Sequence, residues 1–231
     1  MLYKQTVSSA TLELLKRLIN DPSLTDFFLV GGTALSLQIG HRISIDLDFF
    51  TTSEFDQIAL MDTLEDNHGL VADFHEKNTL KGKIEGIKVD LITHKYGLLS
   101  PLIEIDGIRM AGLQGIAAMK MNAITRSRTR VKDFIDIAYL SSKMSAIEIM
   151  ECCLKKYPNH NPLMAIKSLL YHEDIDFSEP IEIIDSDYQW SFVEQRLKDM
   201  VNQPERIFNP LSYSNDKNIE QSKGNRPRLG R

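Results

Sequence analysis

LVGGTALSLQIGHRISIDLDFF, residues 29–50, joins an apolar run to a glycine pair and then to two carboxylates inside a second apolar run. Residues 27–30 read as a short buried strand, Gly32 to Gly40 as a helix, and residues 44–50 as a second strand. A strand has a side-chain period of two, which sets Asp46 and Asp48 on one face and Ile45, Leu47 and Phe49 on the other. Two neighbouring carboxylates repel each other unless a cation sits between them. An oxygen-seeking divalent ion such as Mg²⁺ or Mn²⁺ meets that need and keeps positions for water and phosphate. Just upstream, Gly31-Gly32-Thr33 joins strand to helix. Glycines there let backbone N–H groups approach a phosphate, and the helix start adds partial positive charge. Thr33 either touches that phosphate or caps the helix. An edge strand with two solvated aspartates is the plain alternative for DxD alone. The glycine turn beside it favours a phosphate cradle next to a metal-binding pair.

The rest of the chain sets the frame. Its 231 residues are enough to bury a sizeable core, and 42% hydrophobic with 26% charged residues is the composition of a water-soluble globular protein. A net charge of −5 argues against binding nucleic acid by bulk charge, though local basic patches remain open. The two cysteines, Cys152 and Cys153, are adjacent and have no spaced partners for a zinc site or disulfide framework. No apolar run resembles a signal peptide or a membrane span, so a cytoplasmic protein with no membrane partner is expected.

Ser8 or Ser9 can cap a first helix, which Asn20-Asp21-Pro22 stops. A helix over 55–67 leads to three β-like runs, 70–75, 79–84 and 87–93, with a tight turn at Glu85-Gly86. A second hairpin is expected to turn at Asp106-Gly107. From Leu113 the pattern becomes helical: 113–125, 131–142, 145–157, 162–171 and 188–201, with an acidic loop over 173–187. The expected division is a strand-rich core over 1–111, a helical region over 112–211 and a polar tail over 212–231. That tail reads as mobile or ordered only by a partner.

Lys88-Val89-Asp90-Leu91-Ile92 supplies a third carboxylate on another strand. Three carboxylates holding two divalent ions is the arrangement of two-metal phosphoryl and nucleotidyl transfer. Between Lys120 and Lys132 lie five basic residues (Lys120, Arg126, Arg128, Arg130, Lys132) and no acidic one, which points to an anionic partner. Asp133 and Asp136 stand one turn apart at the start of the next helix. A basic loop before an ordinary helix start is the plain reading, and Asp136 could be a structural partner for Arg126 or Lys132.

GGTALSLQIGHRISIDLDFF resembles the signature of the DNA polymerase β-like nucleotidyltransferase superfamily: a GG or GS turn, a spacer, then DxD on a strand. The phrasing with Arg42 and Ser44 before Asp46 is similar to the AbiEii/AbiGii toxin group. KMNAITRSRTRVKDFIDIAYL resembles that group's helical motif, with Lys120, Arg126, Lys132, Asp133 and Asp136 at the matching positions. The resemblance spans roughly residues 27–140. It implies an α/β (α+β) fold with a polymerase β-like core, a short mixed sheet and a helical C-terminal region. It implies transfer of a nucleoside monophosphate from an NTP, with Gly31, Gly32 and Thr33 cradling the triphosphate and Asp46, Asp48 and Asp90 holding Mg²⁺ or Mn²⁺. Asp90 would also help deprotonate the acceptor, Lys120 and Arg126 would neutralise the leaving phosphates, and Lys132, Asp133 and Asp136 would shape the cleft or position the acceptor. Arg128 and Arg130, in the basic joint between the helices, are expected from their charge to meet the acceptor. The acceptor implied is RNA such as tRNA, in a toxin restrained by a cognate antitoxin. A protein acceptor, as in AMPylation, or a relic that only binds RNA or a partner remains open.

Overall fold

A computed structural model of the chain describes residues 1–184 and 188–211; the expected tail over 212–231 lies outside the described residues. The strands are β1 (Phe28–Val30), β2 (Leu47–Thr51), β3 (Val71–Glu76), β4 (Thr79–Ile84), β5 (Ile87–Thr93), β6 (Ile103–Ile105) and β7 (Ile108–Met110). The helices are α1 (Ser9–Ile19), α2 (Gly31–Ile39), α3 (Gln57–His68), α4 (Leu113–Ser127), α5 (Val131–Leu140), α6 (Ala146–Lys156), α7 (Pro162–Leu170) and α8 (Trp190–Asn202).

Local chemistry explains most of these boundaries. Ser8 caps α1 through its hydroxyl, and Ser145 and Glu148 form a reciprocal capping box at α6. Gly40 ends α2 in the left-handed region at φ +73°. Glu85-Gly86 and Asp106-Gly107 both take positive φ at their two turn residues, the twist that a two-residue hairpin needs. The turn at 85–86 fixes the register of β4 on β5, and the turn at 106–107 that of β6 on β7.

The seven strands form one mixed sheet in the order β3-β4-β5-β2-β1-β7-β6. β2 runs parallel to β5 and antiparallel to β1, so the two strands that carry the aspartates lie side by side at its centre. Leu47, Phe49, Val89, Leu91, Leu80 and Ile84 are buried on the same side of the sheet. Each such side chain contributes about 1.5–3 kcal/mol by leaving water. α3 packs on β3 and β4 and α1 on β7, while α4 is the hub of the helical region, touching α2, α5, α6 and α7. No helix of the described residues is long and apolar enough to cross a membrane.

One expectation fails at the second strand. β2 begins at Leu47, not Ser44, and Ile45 is 58% exposed where alternation placed it inward. The backbone before Leu47 is engaged elsewhere: Ser44 N–H donates to Thr6 at 2.9 Å, Ile43 N–H to Glu182 at 2.9 Å, and Arg42 bridges Ile183. Asp46 therefore stands just outside the strand, where the period-two rule does not set its direction.

Candidate active site

The pairing register builds the centre of the site. Val30 lies opposite Asp48, Asp48 opposite Asp90, and Asp90 opposite Lys81, a single row across β1, β2, β5 and β4. In-register neighbours share a face, so both carboxylates and the lysine look into one cleft. Val30, Gly31, Asp48, Phe50, Lys81, Asp90, Ile92 and, from the helices, Met119, Lys120, Arg130 and Asp133 line it. Counted out to the solvent at its mouth, its open space is about 720 Å³. Burial pushes the Asp48 carboxyl above the ordinary range; the Lys120 charge opposes that, and the charges of Asp90 and Asp46 add to it. Asp90 is 6% exposed, and its Oδ2 lies 3.3 Å from Lys81 Nζ and 3.6 Å from Lys88 Nζ.

The glycine turn meets the carboxylates directly. Gly31 adopts φ +72°, and a Cβ there would collide with the Asp48 carboxylate. No side chain caps α2, so its first N–H groups begin uncapped at the cleft wall. A Cβ on Gly32 would strike the guanidinium of Arg42. Thr33 is buried; its hydroxyl donates to the Asp46 carbonyl and lies 2.8 Å from the Ser44 hydroxyl. Thr33 thus ties α2 to the approach to β2 and is not the cap of its helix.

Beneath the turn lies a buried charge network. Asp136, fully buried, accepts from Arg42 Nε at 2.7 Å and Nη2 at 3.1 Å, and its Oδ1 lies 2.8 Å from His41 Nε2. Lys120 Nζ reaches Asp133 Oδ1 and Asp136 Oδ2, each at 2.7 Å. Burial alone would raise the Asp136 carboxyl, but Arg42 and Lys120 hold it well below the usual range. Burial would likewise lower Lys120 and Arg42; the Asp133 and Asp136 charges keep Lys120 above its ordinary value, and Asp136 leads the same effect on Arg42. His41 is pushed down by burial and stays neutral. Two cations thus share two carboxylates, which fixes the Lys120 ammonium at the cleft wall and braces the Gly32 turn from behind.

The other sequence-expected residues divide. Arg130 and Asp133 line the cleft, whereas Asp136 is sealed below it. Arg128 stacks on the Tyr171 ring at 5.0 Å, and Lys132 pairs with Glu179 at 2.7 Å. Arg126 lines a separate depression with Tyr96 and Tyr157. It is not on the wall with Lys120, because a six-residue offset turns it to a different helix face. Two contributors escape the sequence reading. Lys81 follows from the Glu85-Gly86 turn, since a two-residue hairpin there sets residue 81 opposite residue 90. Arg42, known only as part of a motif, has no local signal for its distant partner.

Asp48 and Asp90 fit a hard cation. Both offer oxygen, and the buried Oδ1 of Asp90 has no hydrogen-bond partner among the described residues. No three His, Cys, Asp or Glu side chains among the described residues stand as a ready-made metal cage, and Asp46 does not line the cleft.

Beside the cleft, Phe50 stacks on His94 with ring centroids 4.7 Å apart. Burial and the nearby Lys156 charge bring the His94 imidazole down to about 4. An unfolded histidine titrates near 6.5, so the unfolded chain binds a proton first as pH falls. The stability that His94 contributes is therefore present above about pH 6.5 and is lost progressively towards pH 4. In His94→Gln, the urea midpoint should vary less across that window than in the wild type. Superimposable pH dependences would show that His94 is not the group responsible.

A mixed sheet bearing in-register carboxylates beside an uncapped Gly-Gly helix start, with a buried lysine opposite, is the polymerase β-like fold. A family model described as nucleotidyl transferase AbiEii toxin, Type IV TA system, matches residues 13–98 and 85–198. The chain belongs to this AbiEii family of nucleotidyltransferase toxins. An uncharacterized protein of Aquifex aeolicus (strain VF5) is 34% identical over 197 residues, covering 83% of this chain and 94% of its own. Two solved structures share the fold. MenT4, a nucleotidyltransferase toxin of Mycobacterium tuberculosis H37Rv, is 14% identical with a TM-score of 0.55, over 82% of this chain and 80% of its own. JHP933 of Helicobacter pylori is 17% identical with a TM-score of 0.52, over 86% of this chain and 93% of its own.

Proposed function

We propose that the protein transfers a nucleoside monophosphate from an NTP to an RNA acceptor such as tRNA, in a reaction that needs Mg²⁺ or Mn²⁺. The observation that carries this reading is the register of Asp48 on Asp90, set against the uncapped start of α2 at Gly31. The first N–H groups of α2 and the Lys120 ammonium bind the triphosphate; Asp90 takes the proton of the acceptor hydroxyl. That oxygen bonds to the α-phosphorus, the bond from phosphorus to the bridging oxygen breaks, and pyrophosphate leaves with its charge offset by Lys120. Asp48 and Asp90 would hold the divalent cation, which when bound polarises the α-phosphate and acidifies the acceptor hydroxyl. The cell-level role that goes with this chemistry is a cytoplasmic toxin held in check by a separate antitoxin, the arrangement that the family's description implies.

Titration calorimetry tests the nucleotide site. NTP should bind in Mg²⁺ and lose at least about tenfold in affinity when a chelator removes it, since the triphosphate then faces two unscreened carboxylates. Equal affinities with and without the cation would rule out this use of the cleft.

A further inference from the structure

The depression that holds Arg126 and the cleft are both walled by α4. Ile116, Met119, Lys120 and Ala123 of α4 line the cleft, while Asn122 and Arg126, one turn apart, line the depression together with Tyr96, Tyr157 and His160. Its open space is about 450 Å³. A run of rings connects the two: Phe50 in the cleft stacks on His94, which lies 5.3 Å from Tyr96 and 6.2 Å from Tyr157. Tyr157 is buried and meets Tyr96 edge to face at 4.7 Å, which steadies Tyr96 while leaving it 47% exposed. A braced, half-exposed tyrosine is a platform on which a base can stack.

His160 Nε2 lies 3.0 Å from the Thr125 hydroxyl, but two other polar groups there are unengaged. The Asn122 amide and the Arg126 guanidinium have no hydrogen bond, ion pair or ring contact among the described residues, in contrast to Arg128 on Tyr171 and Lys132 on Glu179. An amide that reads a base edge, a cation for a phosphate and an aromatic face together match one unpaired nucleotide. The incoming NTP has its own walls in the cleft, where Phe50, Ile92 and Met119 flank the carboxylates. Arg126 stands six residues along α4 from Lys120, about 9 Å of helix rise and on a different helix face, and does not line the cleft.

We infer that this depression, built from Tyr96, Asn122, Arg126, Tyr157 and His160, seats an unpaired nucleotide of the RNA acceptor next to the one that receives the NMP. The inference rests on the nucleotidyl-transfer reading above. It is tested by fluorescence polarisation with a labelled ten-nucleotide single-stranded RNA of mixed sequence, alongside NTP calorimetry in Mg²⁺. Tyr96→Ala should weaken RNA binding about tenfold and Tyr96→Phe should restore it, with NTP affinity unchanged within about twofold. Arg126→Gln should reduce the slope of log affinity against log salt by about 0.7. Both side chains are exposed enough that unaltered melting curves are expected.

Wild-type affinity for the RNA in Tyr96→Ala would overturn the inference. So would a parallel fall in NTP affinity, which would give the depression to the base of the incoming nucleotide. No RNA binding by a wild-type protein that still binds NTP would also overturn it and leave the nucleotide site standing. Failure of the underlying reading shows separately, as Mg²⁺-dependent NTP binding that survives Asp48→Asn.

Discussion

Asp136→Ala should lose about 3–5 kcal/mol of stability, the scale of breaking a buried ion pair from one side. Asp136 is fully buried and serves three partners from two distant segments: Arg42 and His41 ahead of β2, and Lys120 on α4. Its removal leaves two buried cations with Asp133 as their only buried carboxylate, and the orphaned charges rather than the lost contact make the cost large. Urea unfolding at a constant m-value measures it. The pH dependence supplies a second signature. The Asp136 carboxyl lies well below its unfolded value, so its contribution is present above about pH 4 and is lost as pH falls through the carboxylate range. The wild type should therefore lose stability on acidification faster than the variant. A loss below about 1 kcal/mol, with parallel acid limbs, would mean that the network does not brace the site.

Asp48→Asn should have opposite effects on stability and on activity. Burial and the charges of Asp90 and Asp46 make ionised Asp48 unfavourable in the absence of a cation. A neutral amide of the same shape relieves that repulsion, so the melting temperature without metal should hold level or rise. The same change removes an oxygen that the cation and nucleotide need. The Mg²⁺-dependent thermal shift with NTP should vanish, and transfer should fall at least about a hundredfold, as when one preorganised electrostatic contact is removed. A solvated strand aspartate would change neither.

Which parts of this site are visible in the sequence follows from how far apart the partners lie. The hairpins at Glu85-Gly86 and Asp106-Gly107 are legible because the turn chemistry is local, and the first of them also encodes the pairing of Lys81 with Asp90. The glycine turn and the DxD pattern announce the cradle, yet alternation misassigns Ile45 and Asp46. The hydrogen bonds that pull residues 43 and 44 out of the sheet come from Thr6 and Glu182, which no local pattern relates to them. The basic run from Lys120 to Lys132 looks like one surface; helical phase and separate partners scatter it over a cleft, a tyrosine face and a glutamate. Asp136 could be placed beside a cation, but its partners Arg42 and His41 lie more than ninety residues away and only the fold brings them together.

The most direct test supplies each α-labelled NTP in turn to purified protein with total cell RNA and cell lysate protein, in Mg²⁺ and in a chelator, for the wild type and Asp48→Asn. The account predicts label on RNA from the wild type in Mg²⁺, pyrophosphate released in equal amount, and no label in the chelator or with the variant. Label on protein in place of RNA would contradict the acceptor, and RNA labelling that survives Asp48→Asn would contradict the site itself.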